Sequence, residues 1–171
     1  HFFRCFAAPK LRVSTGVRLL GQREVTMEHI EIKTIVHDSP EYEAEVGLRY
    51  LILRQPLGLS FSTEQLCAEA DSHHIGYYID GKLVGCLVLK PINDKQIQMT
   101  QVAVAENVQG RGVGRRMVKY SEDFAKKFGF QEMVLHARET AVPFYEMLSY
   151  NKVGDCFTEV TIPHWGMVKA L

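Results

Sequence analysis

Apolar and polar residues alternate through HIEIKTIVH (29–37), the period of two expected of a half-buried strand. At DSPEYEAE the pattern becomes helical. Asp38 or Ser39 can cap a helix, Pro40 suits its first turn, and Glu41 and Glu43 favour its positive end. That helix should run to about Arg54, where QPLGLS breaks it, and Ser62 or Thr63 can cap a short second helix through about Glu69. Two β-rich runs then flank Asp80-Gly81, a hairpin signal, and KQIQMTQVAV (95–104) reads as the next strand. Val113, Met117, Tyr120, Phe124 and Phe128 recur at helical spacing up to Gly129. EMVLHA is a strand, TAVPFYEML a short helix, and YNKVGDCFTEV and TIPHWGMVKAL two last strands. The predicted order is β-α-α-β-β-β-α-β-α-β-β, an α/β fold of α+β-like character with a mixed sheet.

At 171 residues this is one domain with ample apolar content for a core. Twenty basic residues balance twenty acidic ones, which argues against a nucleic-acid partner. No run of eighteen apolar residues occurs, so no membrane span is expected. Cys5, Cys67, Cys86 and Cys156 form no C-x-x-C pair. Free thiols and a reducing, cytoplasmic setting are expected. The segment 1–26 is unusual, carrying five arginines and lysines against Glu24 alone and ending just before Met27. Three readings stand for it: upstream or vector-derived sequence, a loosely ordered native extension, or an organelle presequence. It is set apart from a domain at 27–171.

The chemistry concentrates in VAVAENVQGRGVGRRM (102–117), where Gly110, Gly112 and Gly114 are interleaved with Arg111 and Val113 between a strand and a helix. At such a joint the first backbone N–H groups of the helix lack partners, and glycines let a ligand approach the backbone. A phosphate cradle follows, with Arg111 and Arg115 able to add charge. The Walker A loop is excluded because Gly114 is followed by Arg115-Arg116, and the dinucleotide fingerprint fails because its third glycine falls one residue early. What matches is Q-x-x-G-x-G, at Gln109, Gly112 and Gly114. A glycine-rich turn into a surface helix with solvated arginines is the plainer alternative.

With GFQEMVLHA and AVPFYEMLSY behind it, this stretch resembles the GNAT superfamily of acetyl-CoA-dependent N-acyltransferases, over roughly 29–169 and most specifically over 97–150. The resemblance implies that Gln109, Gly110, Arg111, Gly112, Val113 and Gly114 bind the pyrophosphate of coenzyme A, with Arg115 in the turn that follows. It implies that main-chain groups of Val102, Ala103 and Val104 hold the pantetheine arm. Acetyl-CoA is then a cosubstrate, no metal is needed, and the acetyl group passes directly to a primary amine of a small-molecule or peptide acceptor. A homodimer is compatible with this reading. A non-catalytic acyl-CoA-binding module on the same fold is the alternative.

Tyr145, in the A-x-x-F-Y pattern of Ala141, Phe144 and Tyr145, is implied as the general acid, its plainer role being a core aromatic. The strand at 95–104 carries no carboxylate, only Asp94 at its approach, which suggests a base acting through water, with His136 and His164 as candidates. Arg54 and His164 are assigned to the acceptor. His73-His74 with Asp71 could evoke a metal, but neighbours on a strand point to opposite faces. Ser149 stands where the resemblance implies glycine, which puts the turn after the last helix in question.

Overall fold

The computed structural model describes residues 27–171, so the expectations for 1–26, including Cys5, lie outside the described residues. β1 (Ile30–Ile35), β2 (His73–Ile79), β3 (Lys82–Pro91), β4 (Gln96–Val104), β5 (Glu132–Arg138), β6 (Asn151–Glu159) and β7 (Ile162–Ala170) form one sheet, ordered β1-β2-β3-β4-β5-β7-β6. Only the β4–β5 pair is parallel. Asp80 and Gly81, both at positive φ, make the β2–β3 hairpin.

The helices are α1 (Pro40–Arg49), α2 (Thr63–Cys67), α3 (Val113–Lys127) and α4 (Val142–Met147). The predicted order of elements therefore holds. The first helix begins as expected, with Ser39 Oγ accepting from the Tyr42 amide. It does reach Arg54, but through a wider turn at 50–54, where the Gln55 N–H donates to the Tyr50 carbonyl five residues back. The second helix stops at Cys67, two residues short of Glu69, although Ser62 and Gln65 form a full capping box.

His73 and His74 show how the layers lie. The His73 ring packs on Phe124 of α3 at 5.1 Å, whereas His74 packs on Tyr42 of α1 at 5.1 Å. Adjacent strand residues face opposite ways, so α1 and α3 cover opposite faces of the sheet. The two imidazoles are thus divided between separate environments. The core holds Ile75, Leu87, Leu89, Ile97, Met99, Met117, Met133 and Leu135, all essentially inaccessible to water. α3 approaches so closely that a Cβ on Gly85 of β3 would meet Met117 Sδ at 2.9 Å.

The α1 face also buries a charged network. His74 Nδ1 lies 3.0 Å from Glu45 Oε1, and Arg49 binds Glu69 through both terminal nitrogens. Arg49 also donates to Glu45 at 3.3 Å, and the Tyr42 hydroxyl donates to Glu69 at 3.1 Å. These groups fasten α1 to β2 and to the segment after α2, on the side of the sheet from which Arg54 reaches the site.

Candidate active site

β4 and β5 pair only from Gln96↔Glu132 to Met99↔Leu135, then separate while both continue, to Val104 and Arg138. The cause is visible in β4. Gln101 adopts φ +54°, and the β4 register with β3 slips by one residue between Val88↔Thr100 and Cys86↔Ala103. This bulge bends β4 away from β5 and leaves backbone groups beyond Met99 without a partner on that side. The resulting cleft, about 340 Å³, is walled by Gln98–Val102, by His136–Arg138 of β5 and by the chain at 52–54. Tyr145, Glu159 and His164 complete it.

The glycine joint follows the free end of β4. Gln109 Nε2 donates to the Val104 carbonyl at 2.9 Å, bracing the loop on the strand. That bond occupies one main-chain acceptor assigned above to the pantetheine arm. Gly110 and Gly112 sit at φ +76° and +79°, and a Cβ on either would meet nothing within 4 Å. Gly112 is the N-cap of α3, and no side chain among the described residues caps that end. An uncapped 15-residue helix, with open space over its first N–H groups, suits an anion such as a diphosphate.

The other loop residues divide by role. Val113 is 2% exposed, its side chain in the core. Gly114 has ordinary φ and lies beside α4, where an added Cβ would make ordinary contact with the Phe144 ring at 3.4 Å. Arg111 is ion-paired with Glu28 at 2.6 Å, while Arg115 flanks a shallow depression beside Gly112 and Lys119. Arg116, not singled out in the sequence, donates to the Tyr77 hydroxyl at 2.9 Å.

Tyr145 forms part of the cleft wall and is 7% exposed, its ring between Phe144 at 5.0 Å and Tyr150 at 5.7 Å. Burial alone pushes its phenol up to about 12, with no protein partner for the hydroxyl among the described residues. The turn after α4 retains a left-handed residue, with Ser149 at φ +69° where glycine would be unstrained. The Ser149 and Tyr150 amides donate back to Glu146 and Tyr145, so the substitution preserves the turn.

Three strands bring a second group together. His164 Nδ1 lies 2.9 Å from the Ile162 carbonyl and must donate to it. The proton is thereby fixed on Nδ1, leaving Nε2 as the lone-pair nitrogen of the neutral ring, 3.9 Å from Glu159 Oε2. His136 Nδ1 lies 3.3 Å from the same carboxylate, and Phe157 packs against both imidazoles. Both histidine candidates thus share a wall of the cleft, whereas Asp94 lies in the β3–β4 turn outside it. Glu159 and Arg138 were not foreseen. Each sits at a strand end, and no local pattern marks a strand-end charge that tertiary pairing turns inward.

The fold is thus a seven-stranded mixed sheet with one splayed parallel pair and a glycine-rich joint leading from the splayed strand into an uncapped helix. The chain belongs to the acetyltransferase (GNAT) family, whose pattern matches residues 35–150. N-acetyltransferase family 8 member 3 of Rattus norvegicus is 29% identical over 97 residues, 50% of this chain and 42% of that protein. The match thus spans under half of that relative's length. In fold the chain is similar to an acyl-CoA N-acyltransferase from Pseudomonas aeruginosa, with TM-score 0.71 and 21% identity over 84% of this chain and 100% of that one. It is also similar to a GNAT family acetyltransferase from Elizabethkingia anophelis with acetyl-CoA bound, with TM-score 0.65 and 18% identity over 83% of this chain and 98% of that one.

Proposed function

We propose that this chain is an N-acetyltransferase that passes the acetyl group of acetyl-CoA directly to a primary amine. The observation that carries the reading is the alignment of three features. The unpaired end of β4 lines the cleft together with Tyr145, and the uncapped, glycine-lined start of α3 lies at the end of that strand, where Gly114 neighbours Val104 and Phe144. Family membership supports it.

Acetyl-CoA would supply an activated thioester, so the protein need only hold, orient and move protons. The N–H groups from Gly110 to Arg115 would take the diphosphate, and β4 beyond Met99 would take the amides of the arm as an added strand. A lysine-like amine is neutral only about once in two thousand molecules at pH 7, so a proton acceptor near the incoming nitrogen raises the reactive fraction. β4 carries no carboxylate among Gln96–Val104. His164 Nε2, directly or through water, and Glu159 beside it are the groups able to accept that proton.

Tyr145 would donate a hydrogen bond to the departing sulfur. Its phenol, held near 12, keeps its proton across the physiological range. The desolvation that raises the phenol also raises the proton affinity of a thiolate in the same cleft, which keeps the two matched.

The test is an amine panel with acetyl-CoA, following free thiol and acetylated amine together. Equimolar appearance of both supports transfer. Saturable acetyl-CoA binding without amine-dependent thiol release would instead identify a binding module.

A further inference from the structure

Two arginines in the cleft lack acidic partners among the described residues. Arg54 stacks on the Phe61 ring at 4.7 Å, and its buried Nε has no hydrogen-bond partner among the described residues. Arg138 forms part of the same wall, and its Nη2 donates to the Leu53 carbonyl at 3.3 Å. Neither forms an ion pair with a carboxylate among the described residues, whereas the neighbouring Arg49 is held by Glu45 and Glu69. Burial first, then the charges of Arg49 and Arg138, disfavour the Arg54 cation more than Glu159 and Glu69 favour it, and an anion in the cleft would relieve the balance. Glu159, the acid of this cleft among the described residues, lies against His136 and His164, and Arg138 pairs in register with His164. The cleft therefore sets the guanidinium groups of Arg54 and Arg138 beside a proton-accepting group of Glu159 and two imidazoles. Two guanidinium groups match a carboxylate, and the neighbouring acid and imidazoles match an ammonium that must lose a proton.

We propose that the acceptor is an amine that also carries a carboxylate, of the amino-acid type, its carboxylate on Arg54 and Arg138 and its amino group toward Glu159 and His164. This rests on the acetyltransferase reading for the direction of reaction, but not for binding. A cleft of about 340 Å³ takes such a small molecule beside a thioester.

The experiment compares matched acceptors: leucine, phenylalanine and methionine, their carboxamides, the corresponding decarboxylated amines, and O-phosphoethanolamine as the phosphate arm. Rates are measured with acetyl-CoA, and binding of the N-acetylated amino acids and their amides is measured by calorimetry with coenzyme A present. In at least one series the carboxylate should win by about tenfold or more in kcat/KM and in Kd, the scale of a charged hydrogen-bonded pair. Arg54→Gln or Arg138→Gln should erase that margin, lowering the carboxylate's values toward those of the carboxamide, and Arg54→Lys should restore part of it. Equal values for acid and amide in every series would overturn the proposal, as would a margin that survives both substitutions. A phosphate arm that outperforms every carboxylate would also overturn it. Transfer without carboxylate preference leaves the acetyltransferase reading intact and removes this one. Carboxylate-selective binding without transfer does the reverse.

Discussion

Replacing Tyr145 with phenylalanine removes one oxygen and little else. The ring is held between Phe144 and Tyr150, and both contacts survive the change. The hydroxyl has no protein partner among the described residues, so no buried group is orphaned. Stability should therefore stay within about 0.5 kcal/mol of the parent, well below the cost of a core cavity. The catalytic effect follows from the bond the hydroxyl would make to a developing thiolate. A hydrogen bond to a charged group contributes about 1.5–3 kcal/mol, and each 1.36 kcal/mol is a factor of ten in rate. Tyr145→Phe should thus lower kcat by about ten- to a hundredfold, with acetyl-CoA affinity nearly unchanged because binding rests on backbone groups. The phenol near 12 adds a second signature: protonated below that value, it imposes no alkaline fall in rate across pH 7–9. The assay is stopped-flow thiol release under single-turnover conditions, where chemistry rather than product release sets the rate. A variant with unchanged single-turnover rate would refute the acid role and return Tyr145 to a packing role. A variant with a strongly lowered melting temperature would refute the premise that the hydroxyl is structurally idle.

Other consequences can be tested separately. Gly112→Val places a branched side chain in the open space over α3 and should weaken acetyl-CoA by about tenfold or more in calorimetry, roughly 1.4 kcal/mol, with the melting temperature checked for strain at φ +79°. Ser149→Gly should stabilise the fold by about 1 kcal/mol in urea unfolding, because a left-handed residue loses its Cβ penalty, without changing activity. For His74, burial lowers the pKa, but the hydrogen bond and charge of Glu45, with Glu69 behind them, outweigh it and raise the net value above 6.5. A raised folded value stabilises fully below the unfolded value and loses that contribution as pH rises through the folded one. Unfolding free energy should thus decline above about pH 6.5, and His74→Gln should flatten that part of the profile.

The sequence carried most of the fold because its local rules agree with one another. Ser39 with Pro40, Asp80-Gly81 and Gly129 each mark a boundary that the structure keeps. The joint at Gln109–Gly114 was legible as a turn between a strand and a helix for the same reason: Gly110 and Gly112 take the positive φ values that such a turn needs. What stayed hidden depends on pairing. The bulge at Gln101 has no glycine to announce it, since a glutamine holds φ +54°. Glu159 becomes part of the cleft only because β7 inserts between β5 and β6, which lets its carboxylate meet His136 and His164. Arg111 looked free for an anion, yet Glu28, 83 residues away, pairs with it. Such long-range partners leave no periodic trace along the chain.

The central claim is that the α3 start holds a diphosphate and the unpaired end of β4 holds the acyl arm. Its most direct test is a titration of isotopically labelled protein with acetyl-CoA, and separately with S-acetylpantetheine, which lacks the diphosphate, following every backbone amide by nuclear magnetic resonance. Acetyl-CoA should shift the amides of Gly110 to Arg115 together with those of β4 beyond Met99, whereas S-acetylpantetheine should shift β4 and leave the loop still. Saturating shifts that bypass the loop, or equal loop shifts with both ligands, would contradict the account.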